Sequence, residues 1–344
     1  MATYKKLNKS TIYLRDKATF SVDESKIIGF CGGKKVFEDH PIFRKKFLDS
    51  LNTDITVGLT KRKIKEKSLL GVNANSINAE VRNCLKLIDN IEFETSVYYG
   101  TFLSQNVKSD FDFSIIDKDS NYYNLWNYCY GLEARVKGTE VFEQLIINNN
   151  NKLEDWKNHM SKYDNDDFKY KQDLIVPDYT FNVIGEIQFG NWAMIYKDMF
   201  RLVTAINKNA KIDLYIYICA NESISDLISD GTVTYKKAVD EFKENVDNHN
   251  INKPIIIIPL DINLSVSEEE RVDQIQKYDN FKNKIDKYNK CINRLYELKK
   301  ELKSADADIL KIKRDIKNKE KQASKLEIEI KNEGVIINDK NNNE

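Results

Sequence analysis

Four prolines and twelve glycines in 344 residues leave little material for linkers. The five cysteines, Cys31, Cys84, Cys129, Cys219 and Cys291, are odd in number and far apart. No Cys-x-x-Cys or Cys/His cluster occurs, and His40, His159 and His249 are isolated, which removes the support for a disulfide framework or a structural zinc site. No apolar run approaches the roughly 20 residues of a membrane span, and "MATYKKLNKS" lacks the apolar stretch of a signal peptide. The expectation is a protein of the reducing cytoplasm without a membrane partner. An excess of one charge is missing too: Lys+Arg 54 balance Asp+Glu 54. A uniformly basic coat is excluded, while clusters such as Arg44-Lys45-Lys46 and Lys61-Arg62-Lys63 still allow a local basic cleft.

What is present is a core: 41% of the residues are apolar. Residues 1–168 read as an N-terminal α+β region contributing to the core and to a cleft. Within it, "INAEVRNCLKLIDNI" sets Ile77, Val81, Leu85 and Ile88 at helical spacing. Residues 169–265 carry the clearest order: strand "LIVPDYTF", strand "VIGEIQF", helix "AMIYKDMFRLVTAI", strand "IDLYIYICA", helix "TYKKAVDEFKENVDNH" and strand "KPIIIIPLDI". A hairpin followed by β-α-β units predicts an α/β fold, a mixed sheet flanked by helices. In residues 266–332, Phe281, Tyr288, Leu295, Leu302, Ile309, Ile316, Ala323 and Ile330 recur at every seventh position. That segment is a long helix, a coiled coil or a helical hairpin. The tail 333–344 ends in "NDKNNNE" and is expected to be disordered.

Three polar residues interrupt the apolar run "VPDYTFNVIGEIQFGNW": Asp178, Glu186 and Gln188. Burying them unpaired costs several kcal/mol, so something must pair them. With Asn182 near a hairpin centre, Asp178 and Glu186 fall opposite each other, with Cβ atoms roughly 4.5–5.5 Å apart. Gln188, two residues on, projects from the same face. Two carboxylates this close repel, and a hard cation such as Mg²⁺ relieves the repulsion. A solvated edge hairpin is the plainer alternative. The flow from this hairpin into the most apolar strands argues that it is central.

These residues resemble the PD-(D/E)XK nuclease signature, and more narrowly the BglII/BstYI-like group of type II restriction endonucleases. In that group glutamine stands in the place of the usual lysine. Glu186, Ile187, Gln188, Phe189, Asn191 and Trp192 satisfy the pattern E-[IV]-Q-F-x-N-[aromatic], and Asp178 supplies the upstream aspartate. The resemblance spans about residues 169–262 and is specific over some fifteen of them. It implies a restriction-endonuclease-like fold and a Mg²⁺-dependent enzyme that hydrolyses duplex DNA. In it Asp178, Glu186 and Gln188 are catalytic, and Asp178, Glu186 and the Ile187 backbone carbonyl are metal ligands. Asn191 stands where the group contacts DNA. Lys197 and Arg201 are candidates for backbone phosphate, and Glu80 for a further carboxylate. Phe189 and Trp192 are expected to pack the core. The group's behaviour also implies a homodimer, a palindromic and GATC-centred site, and a cognate DNA methyltransferase encoded nearby. Two alternatives stand beside this: a non-enzymatic DNA-binding or coiled-coil scaffold protein, and a less specific repair or mobile-element nuclease.

Overall fold

The computed structural model describes residues 5–8, 12–64, 67–98, 100–104, 111–132, 173–175, 181–228, 231–302 and 309–336. Its strands are β1 (Ile12–Ser21), β2 (Ile28–Phe30), β3 (Asp54–Ile64), β4 (Lys67–Val72), β5 (Ile91–Tyr98), β6 (Thr101–Ser104), β7 (Phe111–Ile115), β8 (Val183–Gln188), β9 (Leu214–Ala220), β10 (Ile255–Leu264) and β11 (Gly334–Ile336). Its helices are α1 (Gly33–Asp39), α2 (Pro41–Leu51), α3 (Ala74–Leu85), α4 (Lys118–Tyr130), α5 (Met194–Asn207), α6 (Glu222–Ser225), α7 (Tyr235–Asn248), α8 (Glu268–Asp273), α9 (Ile275–Glu301) and α10 (Ile309–Glu333). The start of the expected disordered tail 333–344 is ordered, with Glu333 closing α10 and Gly334–Ile336 forming β11; the expected loop at Asn148–Asn151 and residues 337–344 lie outside the described residues.

The strands form one sheet in the order β4-β3-β1-β10-β9-β8-β7-β5-β6, with β11 on β1 and β2 on β10. Its centre, β8-β9-β10, is parallel, because helices α5 and α7 carry the chain back across one face between these strands. Antiparallel arms extend on both sides. This is the expected α/β class: a mixed sheet flanked by helices, with a long helical C-terminal segment.

Burial on both faces explains the near-continuous apolar central strands. Every residue of β9 is buried, and Ile255, Ile256, Ile257 and Ile258 of β10 are each 0% exposed. One face packs on Ile195, Met199 and Leu202 of α5 and on Ala238, Phe242 and Val246 of α7. The other packs on α1, α2, α3 and the C-terminal helices through Phe37, Phe47, Ile77, Val81, Leu85, Phe281 and Ile285. Each fully buried Ile contributes about 1.5–3 kcal/mol, so the four isoleucines of β10 are a large part of what holds the centre of the sheet.

The C-terminal segment is two long helices folded back on each other. Lys284 of α9 meets Glu329 and Glu333 of α10, and Lys299 meets Glu320, a pairing that runs in opposite directions along the two helices. Phe281, Ile285, Tyr288, Ile292, Leu295, Ala323 and Ile330 from the heptad seam are buried. After α10, β11 pairs antiparallel with β1, joining Ile12 to Ile336 and Leu14 to Gly334. Among the described residues no helix is long and apolar enough to cross a membrane.

Candidate active site

Strand β8, "VIGEIQ", is buried along its whole length, polar residues included: Glu186 is 2% and Gln188 8% exposed. Alternation sends Val183 and Ile187 to one apolar cluster and Ile184 to the other, so Glu186 and Gln188 share the face covered by α5 and α7. Gly185 brings the next strand close: any Cβ there would collide with the Phe113 ring and the Ile216 carbonyl.

The hairpin expected around Asn182 is not formed. Both edges of β8 are taken, by β7 antiparallel and by β9 parallel. Asn182 instead ties strands together: its N–H donates to Asp213 Oδ2 (2.7 Å) and its carbonyl accepts from Asp213 N (2.9 Å). The β7–β8 register pairs Phe113 with Gly185, so the residue facing Glu186 is Asp112. Asp178 lies outside the described residues.

Asp112 anchors itself by its side chain. Its Oδ2 accepts the Ile187 N–H at 2.8 Å, and its Oδ1 meets Arg82 Nη2 of α3 at 2.6 Å. Arg82 also pairs with Glu94 at 2.5 Å. Glu94 holds left-handed backbone, φ 52°, in β5 beside Asp112, and the β5–β7 ladder skips this position. Such a conformation costs about 1–2 kcal/mol in a residue with a Cβ, and strain of this kind gathers at working sites.

A third carboxylate comes from α5. Asp198 is fully buried; its Oδ2 accepts from Gln188 Nε2 (3.0 Å) and Tyr217 OH (3.4 Å). Arg201, one turn later, donates through Nη1 to Glu186 Oε1 at 3.3 Å and lies 3.5 Å from Asp198 Oδ1. Asp198 Oδ1 itself accepts no hydrogen bond. Burial pushes the Glu186 carboxyl well above its ordinary range; repulsion from Asp112 and Asp198 adds to this, and Arg201 opposes it. Burial likewise raises the Asp198 carboxyl to about 6, against the lowering effect of Gln188 and Arg201. Asp112, Arg82 and Arg201 keep 23%, 25% and 22% of their side chains exposed and form the solvent side, with Glu186 and Asp198 as the floor.

The other expected residues are placed as follows. The Ile187 side chain is buried on the opposite face. Asn191 sits at the exposed end of the strand, its Oδ1 accepting from Ala193 N at 2.9 Å. Lys197 is exposed on α5, and Arg201 turns inward to the carboxylates. Glu80 lies on α3 with its Oε1 accepting from Asn83, and the charges that bear on Glu186 come from Asp112, Asp198 and Arg201. Phe189 is in the core, 1% exposed. Trp192 is not: it is 42% exposed, edge-on to Tyr196 and under Lys237, because the turn before α5 lifts it off the sheet.

Among the described residues no group of three or more His, Cys, Asp or Glu stands ready to hold a metal ion. The donor set nevertheless fits one. Asp112 and Asp198 lie near enough to Glu186 to repel its charge, the buried Asp198 Oδ1 lacks a hydrogen bond, and burial pushes the Glu186 carboxyl well above its ordinary range. Hard oxygen donors short of cationic charge are what Mg²⁺ takes.

The sheet is a mixed α/β sheet with an acid cluster at one face of its central strand β8. Residues 132–260 match the family model described as "Restriction endonuclease BglII/BglIII". The described part of this stretch runs through β8, α5, β9, α7 and into β10, and it is similar to a type II restriction endonuclease domain of that family. The solved structure described as "Crystal structure of restriction endonuclease BGLII complexed with DNA 16-mer" is similar to 68% of this chain over 76% of its own, at 9% identity and a TM-score of 0.36. That overlay is too loose to carry residues across. A search of curated proteins gave no match.

Proposed function

We propose that the chain is a Mg²⁺-dependent endonuclease that hydrolyses phosphodiester bonds in both strands of duplex DNA at a short palindromic, GATC-centred sequence. The carrying observation is that Glu186, Gln188 and Arg201, all inside the family-matched stretch, gather at one buried sheet face beside Asp112 of the neighbouring strand β7. Phosphodiester hydrolysis needs an in-line water, neutralised phosphate charge and help for the leaving oxygen. Glu186, Asp112, the Ile187 carbonyl and, by the resemblance, Asp178 would hold the cation. When bound, Mg²⁺ supplies charge against a nonbridging phosphate oxygen and acidity to a water.

The rest falls to the chain's own residues. Gln188 is neutral and orients the attacking water through its amide. Arg201 brings the positive charge that glutamine lacks, from α5 in place of β8. Lys197, exposed one turn before it, meets backbone phosphate, and Asn191 at the strand end reads an adenine edge. A palindromic duplex calls for two such sites, so the working form is a homodimer. A cytoplasmic enzyme of this specificity requires a cognate DNA methyltransferase to protect its host.

Incubation of the protein with plasmid DNA and Mg²⁺ should give discrete fragments, and omission of the metal should leave the DNA intact. Glu186→Ala should lower cleavage at least about 1000-fold while metal-free binding of a cleavable duplex persists. Unchanged cutting by that variant ends the proposal, and a smear in place of bands ends its sequence specificity. Asp112→Ala and Asp178→Ala, assayed side by side, assign the second carboxylate.

A further inference from the structure

Asp198 is not among the residues proposed to hold the cation or to act on the DNA, although it is a fully buried carboxylate in contact with the site. Its partner Gln188 has an amide whose two ends are nearly equal in shape and opposite in chemistry. Left alone, such a group presents oxygen or nitrogen indifferently. Here the two ends are told apart. An ionised carboxylate accepts only, and Asp198 Oδ2 receives Nε2–H at 3.0 Å. A backbone N–H donates only, and Gly190 N reaches Oε1 at 2.9 Å. Turning the amide over would set oxygen against carboxylate and NH₂ against N–H, exchanging two hydrogen bonds for two repulsions. Gly190 guards the arrangement, since a Cβ there would stand 2.9 Å from Oε1.

We propose that Asp198 is a positioning residue that locks the Gln188 amide in one of its two orientations. The locked amide keeps one N–H and one oxygen lone pair for the reaction, always on the same sides. This rests on the reading that Gln188 touches the reacting groups.

The test is single-turnover cleavage of plasmid DNA by the full chain with Mg²⁺, alongside metal-free duplex binding and thermal melting. Asp198→Ala should slow cleavage about 100-fold, the scale of a misplaced reacting group, with duplex affinity within about twofold. Asp198→Asn keeps an acceptor oxygen and should restore most of the rate. In a Gln188→Ala background, Asp198→Ala should add less than about threefold, because the effect travels through the missing amide. Independent, multiplying losses would overturn the inference, as would wild-type cleavage by Asp198→Ala or an Asp198→Asn variant no better than it. If Asp198→Ala fails to fold, Asp198→Leu, of similar shape and without an acceptor, makes the same comparison. Full activity in Gln188→Ala refutes the role of Gln188 itself; a slow Gln188→Ala beside a fast Asp198→Ala refutes only the lock.

Discussion

Arg294 and Arg201 each face two carboxylates, and they have opposite meanings. Arg294, on the outer side of α9, reaches Glu297 at 3.2 Å and Glu301 at 3.0 Å, all three side chains open to water. Arg201 reaches Glu186 and Asp198, exposed to 2% and 0%. Geometry alone would rank the surface triad as the tighter. In water, however, such pairs contribute about 0–1 kcal/mol, because solvent screens them and long side chains must be ordered. Under the sheet the attraction is unscreened, and so are the desolvation of each charge and the repulsion between the acids. Arg294 decorates a helix that would stand without it, whereas Arg201 permits an acid cluster that the fold would otherwise expel.

Three substitutions probe that contrast. The largest effect is expected of Arg201→Ala, which leaves two buried carboxylates without their cation and should lower the urea-unfolding free energy at neutral pH by about 3–5 kcal/mol. Added to Asp198→Asn, its further cost should shrink, since one of those carboxylates is then already neutral. A loss as small as a surface pair's would mean that the cluster is hydrated and the contrast unreal. Next comes the pH dependence of the metal-free protein. Asp198 rises from 3.8 to about 6 on folding, so the folded chain holds this proton more tightly than the unfolded one. Its stabilising contribution is whole below about pH 4 and fades as the pH climbs through about 6. Asp198→Asn should therefore lose less stability than wild type between pH 4 and 7, by roughly 2–3 kcal/mol, measured by denaturant titration in EDTA. The smallest change belongs to Arg294→Ala, under about 0.5 kcal/mol and smaller still in high salt. A larger loss there would show that the helical hairpin depends on its surface charges.

The second half of the sheet was readable because each element there states its own period. "IDLYIYICA" and "IIII" are buried on both faces, and "AMIYKDMFRLVTAI" repeats at helical spacing. Glu186 and Gln188 were readable as polar residues where nothing polar belongs. The partner strand was not, because β8 pairs with β7, some seventy residues upstream, and local pattern carries no register over such a distance. Asn182 looked like a turn, and it serves as a cross-strand clasp. Asp112 was signalled in the same way as Glu186, by one aspartate inside "FDFSII", but Phe-Asp-Phe also reads as ordinary half-exposed alternation. Asp198 left the clearest missed mark. Ile195, Met199 and Leu202 define the buried stripe of α5, and Asp198 falls within it, where a solvated charge has no business. The sequence offers Arg201, beside Lys197, only as a candidate for backbone phosphate, since spacing does not say which side of a helix the acids occupy.

The ladder between Ile12 and Ile336 has a bearing on how the molecule is born. Strand β1 finds β3 soon after it is made, yet its pairings with β10 and β11 await chain made roughly 240 and 320 residues later, a long-range closure of the slow kind. Until β10 and β11 are made, that edge stays open to whatever strand comes by, and a nascent chain released before them is one in which β1 has never been sealed.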